Sequence, residues 1–120
     1  MKQRLTAKEE AIMNIFWEKG DLCIREVVDL IPEPKPGYNT IAKQVNFLEE
    51  KGFLKRRPLA NTFIYQVAVS EQDYRGISIG DMVAKYYSNS YPSLVLQFVK
   101  DEKLNLEELK EIIDLVEKER

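Results

Sequence analysis

Apolar residues recur along the first third of the chain at helical spacing. Ile12, Ile15 and Phe16 form one stripe, Met13 and Trp17 widen it, and Gly20 closes it. Thr6-Ala7-Lys8-Glu9, just upstream, has the form of a capping box, in which a hydroxyl and a carboxylate satisfy backbone donors that a helix start leaves without partners. Ile24, Val27, Val28 and Ile31 mark a short second helix, started by Cys23 in the place of a Ser-like cap and stopped by Pro32. The run PEPKPG forbids helix continuation, and a third helix is predicted from about Tyr38 to Lys51. There Ile41, Val45 and Leu48 cluster on one side, Asn39, Lys43, Asn46 and Glu50 lie opposite, and Thr40 and Phe47 flank them. One face packs and the other is polar.

Beyond Gly52 the period changes. Phe53 to Arg57 and Thr62 to Val67 read as two antiparallel strands joined by a turn through Pro58-Leu59-Ala60-Asn61, with Phe63, Tyr65 and Val67 sharing one strand face. From Ser70 the helical period returns. Ser70-Glu71-Gln72-Asp73 resembles a capping box ahead of a long helix with Ile79, Met82, Val83 and Tyr86 on its seam. A further segment after Pro92 carries Leu94, Val95, Phe98 and Val99, and a last one, capped by Asn105 with Glu108, carries Leu106, Leu109, Ile113 and Val116.

Three helices followed by a β-hairpin, with a short second helix and a polar third one, are the winged helix-turn-helix order. The predicted fold is therefore mainly α with a small β-hairpin: a winged-helix DNA-binding domain over residues 1–69 and a helical dimerisation region over 70–120. The first two helices form a platform from which the third presents its polar side to a major groove about 12 Å wide. The helices after Ser70 bury little by themselves, since a unit this small usually needs outside help to be stable. A symmetric dimer through Ile79, Met82, Val83, Tyr86, Leu94, Phe98, Leu109, Ile113 and Val116 supplies it. Two reading heads ~34 Å apart then suit a palindromic site.

Composition narrows the chemistry. With 44% hydrophobic and 32% charged residues in 120, the chain is of globular type, without repeats. No apolar run approaches the ~20 residues of a membrane span, and the start MKQRLTAKEE lacks a signal-peptide stretch, so a cytoplasmic protein without membrane insertion is expected. The single cysteine, Cys23, precludes an intrachain disulfide, and the absence of histidine removes His-based triads and Cys/His metal sites. The acidic residues follow helical faces without a convergent pair. Neither a cofactor nor an enzymatic activity is expected, and Cys23 reads as a small buried residue or cap substitute.

The formal net charge of −2 hides an asymmetry. Residues 1–69 hold 11 basic against 9 acidic side chains, whereas 70–120 hold 7 against 11. Between 35 and 57 the balance is 6 against 2, so positive potential concentrates around the third helix and first strand. A polyanion is to be sought there. Thr40 and Lys43 are the first candidates for contact with duplex DNA, by hydroxyl and ammonium. Asn39 and Asn46 have the amide geometry to read adenine, although Asn39 also suits a helix cap. Phe47 either touches a thymine methyl or packs beside the wing, and Tyr38 either donates to a phosphate or packs beside Ile41 and Val45. Lys55, Arg56 and Arg57 face phosphates, with strand alternation turning one of the three to the other sheet face.

The stretches LTAKEEAIMNIFWEKG, IREVVDLIPE, YNTIAKQVNFLEEKGFLKR and SLVLQFVKDEKLNLEELKEIIDLVEK, in this order and spacing, resemble the BlaI/MecI family of penicillinase repressors from Leu5 to Glu119. The resemblance implies a homodimer on an operator overlapping a promoter, controlling antibiotic-resistance or stress genes. In the β-lactam-resistance members it also implies inactivation by a regulatory protease. The family's Asn-Phe cleavage bond aligns with Gln97-Phe98, basic residues are common at the positions of Ala42 and Phe47, and the wing turn often holds Gly-Arg where Ala60-Asn61 stands. The rival reading is a winged helix used for protein interaction, with Phe47, Glu49 and Glu50 on the partner surface.

Overall fold

The computed structural model describes residues 4–119. They form α1 (Ala7–Lys19), α2 (Ile24–Leu30), α3 (Tyr38–Glu50), the strands β1 (Leu54–Leu59) and β2 (Thr62–Val67), and then α4 (Glu71–Tyr86), α5 (Tyr91–Lys100) and α6 (Leu106–Lys118). The chain divides into two compact units, up to Ser78 and from Ile79 onward. The first two turns of α4 thus belong to the unit that holds the hairpin.

In the first unit α1 starts at Thr6, whose Oγ1 accepts from the Glu9 N–H at 3.2 Å while Glu9 Oε1 accepts from the Thr6 N–H at 2.9 Å. It ends at Gly20, with φ 89°, a left-handed value that suits glycine. Ile12, Met13 and Phe16 from α1, Val27 from α2 and Ile41, Val45 and Leu48 from α3 are buried together with Phe53, Leu54 and Tyr65. The helical stripes thus meet in one core, as their periodicity requires. A lone β-bridge ties the α1–α2 connection to the hairpin: the Tyr65 N–H donates to Leu22 O at 2.8 Å and the Leu22 N–H to Tyr65 O at 3.1 Å.

Tyr74, at the start of α4, is buried in this unit. Its hydroxyl accepts from the Leu5 N–H at 3.0 Å and donates to Glu10 at 3.1 Å, and its ring centroid lies 5.6 Å from those of Trp17 and Phe53. Trp17 in turn donates its indole N–H to Val69 O at 2.9 Å. A buried aromatic with a polar tip needs such a partner, and both rings have one.

The hairpin corrects one expectation. Pro58 and Leu59 lie in β1 rather than in the turn, paired with Phe63 and Thr62, and the turn shrinks to Ala60-Asn61. Proline is tolerated because a two-stranded sheet leaves an outer edge on each strand, where a missing N–H breaks no ladder bond. Phe53, expected to open the strand, is instead a fully buried residue just before it.

In the second unit Ser90 caps α5 by accepting from the Ser93 N–H at 3.2 Å, and α6 opens with a reciprocal box between Asn105 and Glu108, at 2.8 and 3.0 Å. Among the described residues of this unit only Val83 and Leu94 are buried. Tyr86, Leu96, Leu106, Ile113, Leu115 and Val116 stand exposed.

Candidate nucleic-acid interface

α3 carries the division that the sequence predicted. Ile41, Val45 and Leu48 are at most 2% exposed, whereas Asn39, Thr40, Lys43 and Asn46 are open to solvent. Three residues facing the core at spacings of four and three fix the helix rotation, so the opposite strip is held outward by packing. Gly37 occupies the N-cap position, which leaves Asn39 inside the helix with its amide exposed rather than capping. Tyr38 and Phe47 are 47% and 37% exposed, so neither is core, and the Lys43 ammonium lies 5.7 Å from the Phe47 ring centroid.

The cations of the 35–57 stretch divide into two groups. Lys35 donates to the α2 carbonyls of Val28 and Asp29, at 3.3 and 2.9 Å. Its charge sits at the C-terminal end of that helix, where it complements the dipole. Lys51 lies 2.6 Å from Glu9, and Arg56 Nε lies 3.4 Å from Glu49 Oε2. Lys43, Lys55 and Arg57 have no ion pair or side-chain hydrogen bond among the described residues. These three are the cations open to a phosphate.

Strand register separates the basic triplet. Lys55 pairs across the hairpin with Gln66 and Arg57 with Ile64, whereas Arg56 pairs with Tyr65. Cross-strand partners share a face, so Arg56 shares that of Phe63 and the buried Tyr65, and Lys55 and Arg57 share the other. The Arg56 guanidinium carbon is 4.6 Å from the Phe63 ring centroid.

Two contributions escaped sequence reasoning. Glu9 is 2% exposed, so the residue read as a cap is also half of a buried ion pair that joins α1 to the end of α3. Burial pushes its carboxyl pKa upward, but hydrogen bonds from Lys51 and the Thr6 N–H, with the Lys51 charge, hold it below its ordinary value. Glu49, next to Glu50 in a helix end that reads as plain acidic surface, engages Arg56. No local pattern marks either acid, because each partner comes from another element. Glu26 is lowered by the Cys23 N–H that it accepts at 3.0 Å, which identifies Cys23 as the N-cap residue of α2.

Of the residues expected to join subunits, Val83 and Leu94 are buried within the second unit and Met82 and Leu109 are half-buried. Ile79, Tyr86, Phe98, Ile113 and Val116 are exposed. No described helix is long and apolar enough to cross a membrane, and no group of three metal-ligating side chains occurs among the described residues.

A two-helix platform, a third helix with a polar outer strip and a cationic hairpin beside it define a winged-helix DNA-binding protein. Residues 5–118 match the penicillinase repressor family, and the chain belongs to that family. It is 30% identical to the penicillinase repressor of Staphylococcus aureus, over 93% of this chain and 90% of that protein. It is 29% identical to the methicillin resistance regulatory protein MecI of Staphylococcus aureus strain N315, over 95% of this chain and 94% of that one. The solution structure of the DNA-binding domain of the repressor BlaI is similar with a TM-score of 0.54 and 25% identity, covering 62% of this chain and 94% of that one. Fold and family together make this chain a DNA-binding transcriptional repressor.

Proposed function

We propose that the protein represses transcription as a cytoplasmic homodimer that places α3 of each subunit in the major groove of a palindromic operator. The carrying observation is the rotation of α3: Ile41, Val45 and Leu48 are buried while Asn39, Thr40, Lys43 and Asn46 face outward. In this reading Thr40 and Lys43 anchor the helix and Asn39 and Asn46 read base edges, with Tyr38 and Phe47 at the margins of the strip. Lys55 and Arg57 meet the flanking phosphates.

Dimerisation is supported by the second unit, whose exposed apolar residues Ile79, Tyr86, Phe98, Ile113 and Val116 lack cover in a single chain. The names of the relatives, a penicillinase repressor and a methicillin resistance regulatory protein, favour antibiotic-resistance genes as targets. The Gln97-Phe98 bond lies inside α5, and the two carbonyls accept from the N–H groups of Asp101 and Lys103 at 2.9 and 2.8 Å. A regulatory protease cutting there needs α5 to open first, because proteases take extended chain.

The test is retention of duplex DNA from the gene's own upstream region as salt is raised. Binding is expected to weaken with a log–log slope of about 0.9 for each phosphate neutralised. Absent or salt-insensitive binding would sink the reading in favour of a protein-interaction module.

A further inference from the structure

We propose that Arg56 is a positioning residue of the wing rather than a phosphate anchor: clamped between Glu49 of α3 and the ring of Phe63 in β2, it sets the hairpin against the recognition helix. The inference rests on the duplex-binding reading above and refines it.

Three observations converge on it. The Arg56 guanidinium reaches Glu49 at 3.4 Å and lies 4.6 Å from the Phe63 ring centroid, so one planar cation bridges the end of α3 and the second wing strand. The register puts Arg56 on the face of Tyr65, while Lys55 and Arg57 sit on the opposite face without ion-pair partners among the described residues. Glu49 is the more covered of the pair, with a side chain 29% exposed against 49% for Arg56.

The electrostatics follow. A phosphate approaching Arg56 meets the Glu49 carboxylate within the same Debye length, ~8–10 Å, so the pair presents almost no net charge to the DNA backbone. Such a neutral pair releases few counterions on binding. Its effect on affinity comes instead through geometry, by holding Lys55 and Arg57 at one angle to α3. Without the clamp the hairpin retains its ladder and its core packing through Leu54 and Tyr65 but loses the ion pair that fixes its outer part against the end of α3.

The decisive variant is the double substitution Glu49→Ala with Arg56→Ala, which leaves the net charge unchanged. Duplex recovered by the wild-type protein from genomic fragments serves as the probe. The expected result is a roughly three- to tenfold loss of affinity with the wild-type salt slope retained. Phe63→Ala is expected to reproduce that loss. A slope lower by about 0.9 per subunit would show Arg56 on a phosphate and overturn the inference. Unchanged affinity would overturn it equally.

Hydrogen exchange on the DNA-free protein gives an independent readout. Amides of β1 and β2 are expected to exchange faster in the double variant, and unchanged protection contradicts the clamp. If the wild type retains no genomic duplex, the DNA reading fails while the exchange result still decides whether the clamp orders the hairpin.

Discussion

Lys51 Nζ lies 2.6 Å from Glu9 Oε1, which joins the C-cap residue of α3 to the capping box that begins α1. The carboxylate is 2% exposed and also accepts from the Thr6 N–H, so one side chain caps a helix and sets the seating of another. Removing its cation leaves a buried charge without a partner, whereas removing the charge itself does not. Lys51→Met is therefore expected to destabilise the protein by about 1–3 kcal/mol, more than Glu9→Gln, in urea unfolding at neutral pH. The reverse order would show that the pair does not hold the helices together.

The same pair sets a pH dependence. Despite its burial, the Glu9 carboxyl is held below the ordinary glutamate value by Lys51 and the Thr6 N–H, so its contribution is present above that ordinary value and lost as pH falls through the lower folded one. Thermal unfolding of the wild type is expected to lose stability below about pH 4.5 more steeply than that of Glu9→Gln. Parallel curves would remove Glu9 as the source.

Single substitutions of Lys43, Lys55 and Arg57 by Ala are each expected to weaken duplex binding and to lower the salt slope by about 0.9 per subunit. Substitution of Lys35, whose ammonium is engaged by the carbonyls of α2, is expected to leave the slope unchanged. Titrations at several salt concentrations separate the two groups.

Leu48 is fully buried on the inner side of α3, and Leu48→Ala is expected to cost about 2–5 kcal/mol of stability. Asn46, two residues earlier and exposed, should change stability by less than about 0.5 kcal/mol when replaced by Ala, and alter duplex preference instead. Denaturation and binding to a panel of duplexes measure the two effects separately.

Ala60 holds φ at 51° in the wing turn, a left-handed value that an L side chain adopts with strain. Ala60→Gly relieves it, offset in part by the greater freedom of glycine in the unfolded chain. A net gain of roughly 0.5–1 kcal/mol is expected in chemical denaturation. A loss would mean that the turn abandons this conformation when the Cβ is removed.

Ile113 and Val116 of α6 are 54% and 49% exposed. Placing Asp at both is expected to convert a dimer to monomers in sedimentation, with duplex affinity falling as the second reading head is lost. A monomeric wild type, or a variant that stays dimeric, argues against α6 at the interface.

What the sequence determined by itself is what repeats locally. The spacing of Ile41, Val45 and Leu48 fixed which side of α3 faces outward, and the boxes at Thr6 and Asn105 fixed where helices begin, because periodicity and capping act within a few residues. Tertiary structure decided which charges remain available. The stretch from 35 to 57 reads as predominantly basic, yet Lys51 is matched by an acid 42 positions away, Arg56 is turned toward Glu49 by strand register, and Lys35 folds back on α2. Pro58 and Leu59 likewise resemble turn residues until pairing with Phe63 and Thr62 draws them into β1. Charge on a sequence is a sum, whereas charge at a surface depends on which partners folding brings within a few ångströms, and no local pattern encodes those distances.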